Sequence, residues 1–201
     1  MSQGTTTATA PSGTRPLRAD AARNRQRLLD VAADAFAEHG TEASLEDIAR
    51  TAGVGVGTLY RHFPTRAALI EAVYRAGADE LCASADVLAA QYPPREALDE
   101  WVLGFVGYVG RKRGMASALK AAIGPESAAV FAEARAKFDE MTGKLVAAAQ
   151  ADGSIRPDVE PPDIMRAVSG VCMAQAEAQD PDRARRVVRL LLDGLRYQPE
   201  E

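Results

Sequence analysis

Apolar residues recur at three- and four-residue steps along nearly the whole of this chain, and strict alternation is rare. That spacing puts them on one face of a helix, whereas a half-buried strand needs a period of two. The chain is therefore expected to be all-α. Alanine, the strongest helix former, dominates, and β-branched residues are sparse outside short clusters. The pattern predicts helices over about 20–38, from Ser44 to the break at Gly53, then about 55–62, 66–90, 95–113, 115–122, 126–151, 163–179 and 182–197. Gly40, Phe63-Pro64-Thr65, Tyr92-Pro93-Pro94, Gly124-Pro125 and Asp180-Pro181 punctuate them, with a proline-rich loop over 152–162. The organisation expected is a disordered, basic-ended arm over 1–18, a three-helix head over 19–66, a larger helical domain over 67–197, and a tail over 198–201.

Several classes of function are disfavoured. No apolar run approaches the ~20 residues needed to span a bilayer. Met1–Gly13 has neither the basic start nor the apolar stretch of a secretory signal, so a cytoplasmic protein with no membrane partner is expected. Cys82 and Cys172 stand far apart among apolar residues. They read as buried thiols in a reducing compartment, with a redox switch or metal site as the alternative. His39 and His62 lack metal-ligand spacing, so no metal is expected. No Ser/His/Asp or Cys/His set can be assembled in the C-terminal part, because both histidines lie before it. No catalytic residue and no cofactor are expected, and the chain is read as not an enzyme.

Charge is unevenly spread. The net charge is −4, yet residues 1–29 carry five arginines against the single acid Asp20, and residues 50–66 carry Arg50, Arg61 and Arg66 with no acid. Local basic blocks on an acidic protein suit a face that meets phosphates, although a basic run alone is usually a solvated surface. These blocks flank a helix-turn-helix. Ser44 can cap the N–H of Asp47, whose carboxylate can reach back to the Ser44 N–H. Gly53 accepts the turn conformation, Ala49 and Ala52 are small enough for a close crossing, and Leu59 anchors the second helix inward. Gly55, Val56, Thr58, Tyr60, Arg61 and His62 then form an outward face with no acid to repel DNA. Taken singly, Tyr60 and Phe63 read equally well as core aromatics and Arg61 as a solvated charge.

These segments resemble the tetracycline-repressor (TetR) family of bacterial regulators. The resemblance rests on Leu28-Leu29-x-Val31-Ala32 with Phe36-Ala37-Glu38-His39-Gly40, on Ser44-Leu45-Glu46-Asp47-Ile48-Ala49-x-x-Ala52-Gly53-Val54, and on Gly57-Thr58-Leu59-Tyr60-Arg61-His62-Phe63-Pro64-Thr65-Arg66-x-Ala68-Leu69. It implies that Thr58, Tyr60 and His62 touch phosphates or bases. Arg66 is implied to bind phosphate at the start of the fourth helix, with Thr41 and Ser44 as further phosphate candidates. Arg15 and Arg18 could reach along a groove from the arm. Gly55-Val56 departs from the family's usual polar pair, and Val56 could read a thymine methyl.

The rest of the chain reads as a helical bundle. Trp101, Phe105, Tyr108, Phe131 and Phe138, with Met115, Met141, Cys172 and Met173, read as ordinary core or as the lining of a cavity for a small apolar effector, as family members often have. Gly104, Gly107 and Gly110 suggest close helix approach or space for a ligand. The resemblance also implies a homodimer built on the last two helices, with Val168, Val171, Val187, Val188, Leu191 and Leu195 in the interface and Gly170 and Ala174 permitting close crossing. The function expected is a repressor released from palindromic double-stranded operator DNA by its effector. An activator, a regulator without ligand, or a helical binding protein or enzyme with a non-functional head are the alternatives.

Overall fold

The computed structural model describes the backbone of residues 14–112, 114–176 and 181–196, and side chains within 19–112, 114–174 and 182–196. Residues 1–13 of the expected 1–18 arm and the expected tail over 198–201 lie outside the described residues. α1 (Thr14–His39) is followed by two short helices, α2 (Leu45–Thr51) and α3 (Val56–His62). α4 (Arg66–Gln91), α5 (Pro94–Arg111), α6 (Met115–Ile123), α7 (Ser127–Ala151), α8 (Pro161–Ala176) and α9 (Pro181–Asp193) follow, with a 3₁₀ turn at Gly124–Glu126. Among the described residues the one β feature is an isolated antiparallel bridge between Ile155 and Arg196.

α1 begins inside the segment expected to be an arm. Pro16 stands in its first turn, where backbone N–H groups have no intrahelical acceptor, so its missing N–H breaks no bond. Arginine, leucine and alanine around it all favour helix.

Two apolar cores divide the molecule. The first joins Leu28, Leu29, Ala32 and Phe36 of α1 with Leu45, Ile48, Ala49, Leu59 and Phe63 of the short helices. Leu69, Ile70 and Val73 of α4 belong to it, as do Met115 and Leu119 of α6 and Val130 of α7. The head therefore does not end at Arg66. A 48-residue segment is small for an independent core, and α6 supplies apolar surface that the short helices lack. The second core gathers Leu81 and Ala85 of α4, Leu98, Trp101, Val102 and Phe105 of α5, Phe138 and Val146 of α7, and Val168, Val188 and Leu192 of the last two helices. Trp101 is fully buried and donates its indole N–H to the Leu81 carbonyl at 3.0 Å, so its polar atom is satisfied. Gly104 admits Leu81 of α4, whose Cδ1 would lie 3.3 Å from an added Cβ, so its reason is close helix packing. The Gln150 amide holds the proline-rich loop through the carbonyls of Arg156, Pro157 and Val159. α4 and α7 both contribute to the two cores and join them.

Candidate nucleic-acid interface

α2 starts and stops by local chemistry. Ser44 takes an extended conformation and its Oγ accepts the Asp47 N–H at 3.2 Å, the expected cap. The reciprocal half of the expected box is not made: the Asp47 carboxylate pairs with Arg50 at 2.6 Å, one turn on, and the Ser44 hydroxyl donates to Glu46 at 3.2 Å. At the other end Gly53 has φ +69°, the left-handed conformation that costs other residues about 1–2 kcal/mol. Its N–H meets the Arg50 carbonyl and the Val54 N–H meets the Ala49 carbonyl, both at 3.0 Å. That pair of bonds is a Schellman motif. It satisfies the last carbonyls of α2 and sets the angle at which α3 departs.

α3 has two distinct sides. Leu59 has no exposed surface, and Phe63, just past the helix end, is buried against the same core. Val56 and Tyr60, one turn apart, are 41% and 44% exposed, with Gly55, Gly57 and Arg61 exposed beside them. Thr58 and His62 are half-buried at the boundary. His62 lines a shallow cleft with Arg25, Phe63, Glu71 and Arg75, so only part of its ring faces outward. A Cβ added at Gly55 or Gly57 would meet nothing within 4 Å, so no packing inside the protomer requires glycine there.

The structure redirects Arg66. Its Nη1 donates to the carbonyls of Thr41 at 2.8 Å and Ala43 at 2.6 Å. The start of α4 abuts the α1–α2 turn, and the guanidinium ties the two together where a phosphate contact was expected. Thr41 is half-buried beneath this tether, and Ser44 is half-buried by its capping role. The backbone of Arg15 and Arg18 lies in the first turns of α1, and their side chains lie outside the described residues. Arg25, not singled out from sequence, stacks over the Phe63 ring with Cζ 5.4 Å from its centroid. No local spacing signals that contact, because 38 positions separate the pair.

The expected ligand set is not brought to one cavity. Trp101, Phe105, Tyr108 and Phe138 pack edge-on or tilted against each other, with centroids 5.3–6.5 Å apart, and Met141 lies half-buried beside them. Aromatic quadrupoles favour such contacts, so these rings fill the space they were expected to line. Cys172 is buried in the same core, whereas Met115 and Phe131 belong to the head core and Met173 is 75% exposed. A cleft of about 690 Å³ lies between α1, α4 and α5 and takes only Tyr108 from that set. Among the described residues no cluster of three His, Cys, Asp or Glu could hold a metal, and no helix is long and apolar enough to cross a membrane.

The expected dimer residues separate by burial. Val168 and Val188 have no exposed surface and serve their own protomer's core. Val171, Val187, Leu191 and Leu195 are half-buried, and Leu190 is 72% exposed beside them on α9. Ala167, Gly170 and Ala174 form an exposed small-residue stripe on α8.

A capped helix, a glycine turn and a short second helix with an exposed acid-free face define a helix-turn-helix DNA-binding regulator. Residues 28–73 match the family described as bacterial regulatory proteins, tetR family. Residues 93–197, more than half of the chain, match the C-terminal domain of SbtR-like transcriptional regulators. Among solved structures, the TetR transcriptional regulator SCO0520 from Streptomyces coelicolor is 40% identical with a TM-score of 0.77, over 87% of this chain and 99% of that one. A TetR transcription regulatory protein from Mycobacterium vanbaalenii is 37% identical with a TM-score of 0.73, over 90% of this chain and all of that one. The HTH-type transcriptional repressor KstR2 of Rhodococcus jostii is 28% identical over 142 residues, 68% of this chain and 70% of that protein. The chain belongs to the TetR family and is a DNA-binding transcriptional regulator.

Proposed function

We propose that two copies of this chain repress transcription from an inverted-repeat operator, each laying α3 in a major groove. The observation that carries this reading is the outward side of α3, where Val56, Gly57, Tyr60 and Arg61 are exposed on a stretch with no acid between Asp47 and Glu71. Tyr60 and Thr58 offer hydroxyls to phosphates or bases, Arg61 a phosphate charge, and Val56 an apolar surface for a thymine methyl. Gly55 and Gly57 let the DNA backbone or base edges come close. Ser44, Thr41 and the exposed edge of His62 border the same face. The repressor sense is supported by the name of the Rhodococcus jostii relative.

Two half-sites about 34 Å apart require a dimer that holds the heads at that spacing. The partly exposed apolar stripe Val187, Leu190 and Leu191 of α9, with Leu195 just past its end and the small stripe of α8 alongside, suits a two-fold bundle of helices. Control by a small effector fits the same layout, because α4 and α6 take part in the head core while α4 also anchors the body. A ligand that shifts α4 changes the separation of the heads and hence the fit to the operator.

The test is fluorescence anisotropy on the intergenic DNA beside the gene, with reporter expression in a deletion strain. Binding at low salt, a drop of about tenfold or more for Tyr60→Ala, and derepression on deletion are expected. No binding at low salt would overturn the operator reading, and lower reporter output on deletion would make the protein an activator.

A further inference from the structure

The cleft of about 690 Å³ between α1, α4 and α5 has a floor unlike its rim. Asp30, Asp34, Glu80 and Arg111 stand on the rim, exposed to water. Lys112 and Tyr108 line the floor and are 8% and 4% exposed. The Lys112 ammonium has three donors and one described acceptor, the Val73 carbonyl at 3.0 Å. The Tyr108 ring edge lines the same wall, while its hydroxyl is buried towards Tyr74, Cys82 and Asp79. Buried polar groups normally find partners, so a buried ammonium with donors left over on this wall calls for an acceptor.

The fold makes room for this arrangement at some expense. Gly77 sits inside α4, where glycine is less favourable than alanine. A Cβ there would lie 2.7 Å from Lys112 Cε and 3.3 Å from Tyr108 Cε2. Glycine at 77 therefore admits both side chains to the floor of the cleft. Burial lowers the Lys112 pKa to about 8, which leaves the amine mostly protonated at neutral pH. The walls above it, Leu29, Ala33, Val73 and Ala76, are apolar.

We propose that this cleft is the effector site and that its ligand is a small organic carboxylate, with the anionic end on Lys112. The apolar walls take the hydrocarbon part of the ligand, and the rim acids face water beyond it. The site differs from the aromatic cluster considered from sequence, and it lies where α1 of the head meets α4 and α5 of the body. The inference rests on the effector-controlled reading above, in that a ligand here sits between the two bodies whose relation sets operator fit.

The test is calorimetric and thermal-shift titration of the full chain with benzoate, 2-naphthoate and octanoate, each beside its neutral amide, and with 2-naphthylmethylamine. At least one acid is expected to bind about tenfold more tightly than its amide, since a charge-assisted bond is worth at least ~1.4 kcal/mol. Lys112→Met should remove that preference. Amides binding as well as acids, or the amine alone binding, would overturn the proposal without use of any variant. An acid preference that survives in a folded Lys112→Met would also overturn it. An acid that binds through Lys112 yet leaves operator affinity unchanged upholds the site and overturns the reading of effector control.

Discussion

Lys112 carries a pH signature that can be read without any ligand. Burial first, and then the charge of Arg111, lower its pKa from 10.5 to about 8, with Glu80 opposing. Below pH 8 both the folded and unfolded chains hold this proton, and the full burial penalty is present. Between about 8 and 10 the unfolded chain keeps a proton that the folded chain has released, so stability rises with pH. Burial raises the Tyr108 pKa, which gives the opposite slope once unfolded tyrosine ionises near pH 10. Melting temperature measured against Lys112→Met should therefore climb from pH 8 to about 10.5 and level off above it, since the Tyr108 effect is common to both proteins; a flat difference would mean the amine is solvated. Arg66 makes a second residue-scale case. Losing its bonds to the Thr41 and Ala43 carbonyls should cost about 1–3 kcal/mol in Arg66→Ala. Because Nη1 is held by two backbone carbonyls and the guanidinium ties α4 to the α1–α2 turn, the slope of DNA affinity against salt should stay unchanged. A slope reduced by about one ion would return Arg66 to a phosphate.

At the scale of the element, α3 is stabilised by its neighbours and exposed for its function. Seven residues are too few for a helix to persist alone, so Leu59, Phe63 and the Schellman turn at Gly53 hold it in place. Gly57 works against that stability and is unexplained by packing, since a Cβ there meets nothing within 4 Å. Gly57→Ala should raise stability by up to about 1 kcal/mol in urea. It should also lower operator affinity, because a methyl group would stand where DNA must approach. Unchanged affinity in that variant would move the docking off this face. The caps and stops of these elements were legible in the chain because they depend on neighbours within four residues: Ser44 on Asp47, Gly53 on Arg50, Thr65 on Ala68. Arg25 on Phe63 and Arg66 on Thr41 were not, because such pairs meet only once the helices cross.

For the whole molecule the decisive quantity is the separation of two heads. Leu190, 72% exposed beside half-buried Val187, Leu191 and Leu195, is the most accessible apolar residue of the α9 stripe. Leu190→Glu should shift sedimentation towards monomer at micromolar concentration and weaken operator binding, while leaving helical content intact. A dimer as tight as wild type would place the interface elsewhere. Within each protomer the sequence-based split at Arg66 gives way to a head core that also uses α4, α6 and Val130. Periodicity shows that those residues face inward but not which core receives them.

Read alone, the chain determined its all-helical class, the order of its helices and the helix-turn-helix, since period, caps and turn conformations are set by residues a few positions apart. Tertiary packing alone decided that the aromatic set fills its own space, that Val168 and Val188 turn inward, and that Gly77 admits Lys112 to a cleft. Those outcomes depend on which helix faces meet across tens of residues, and an amphipathic pattern carries no record of its partner.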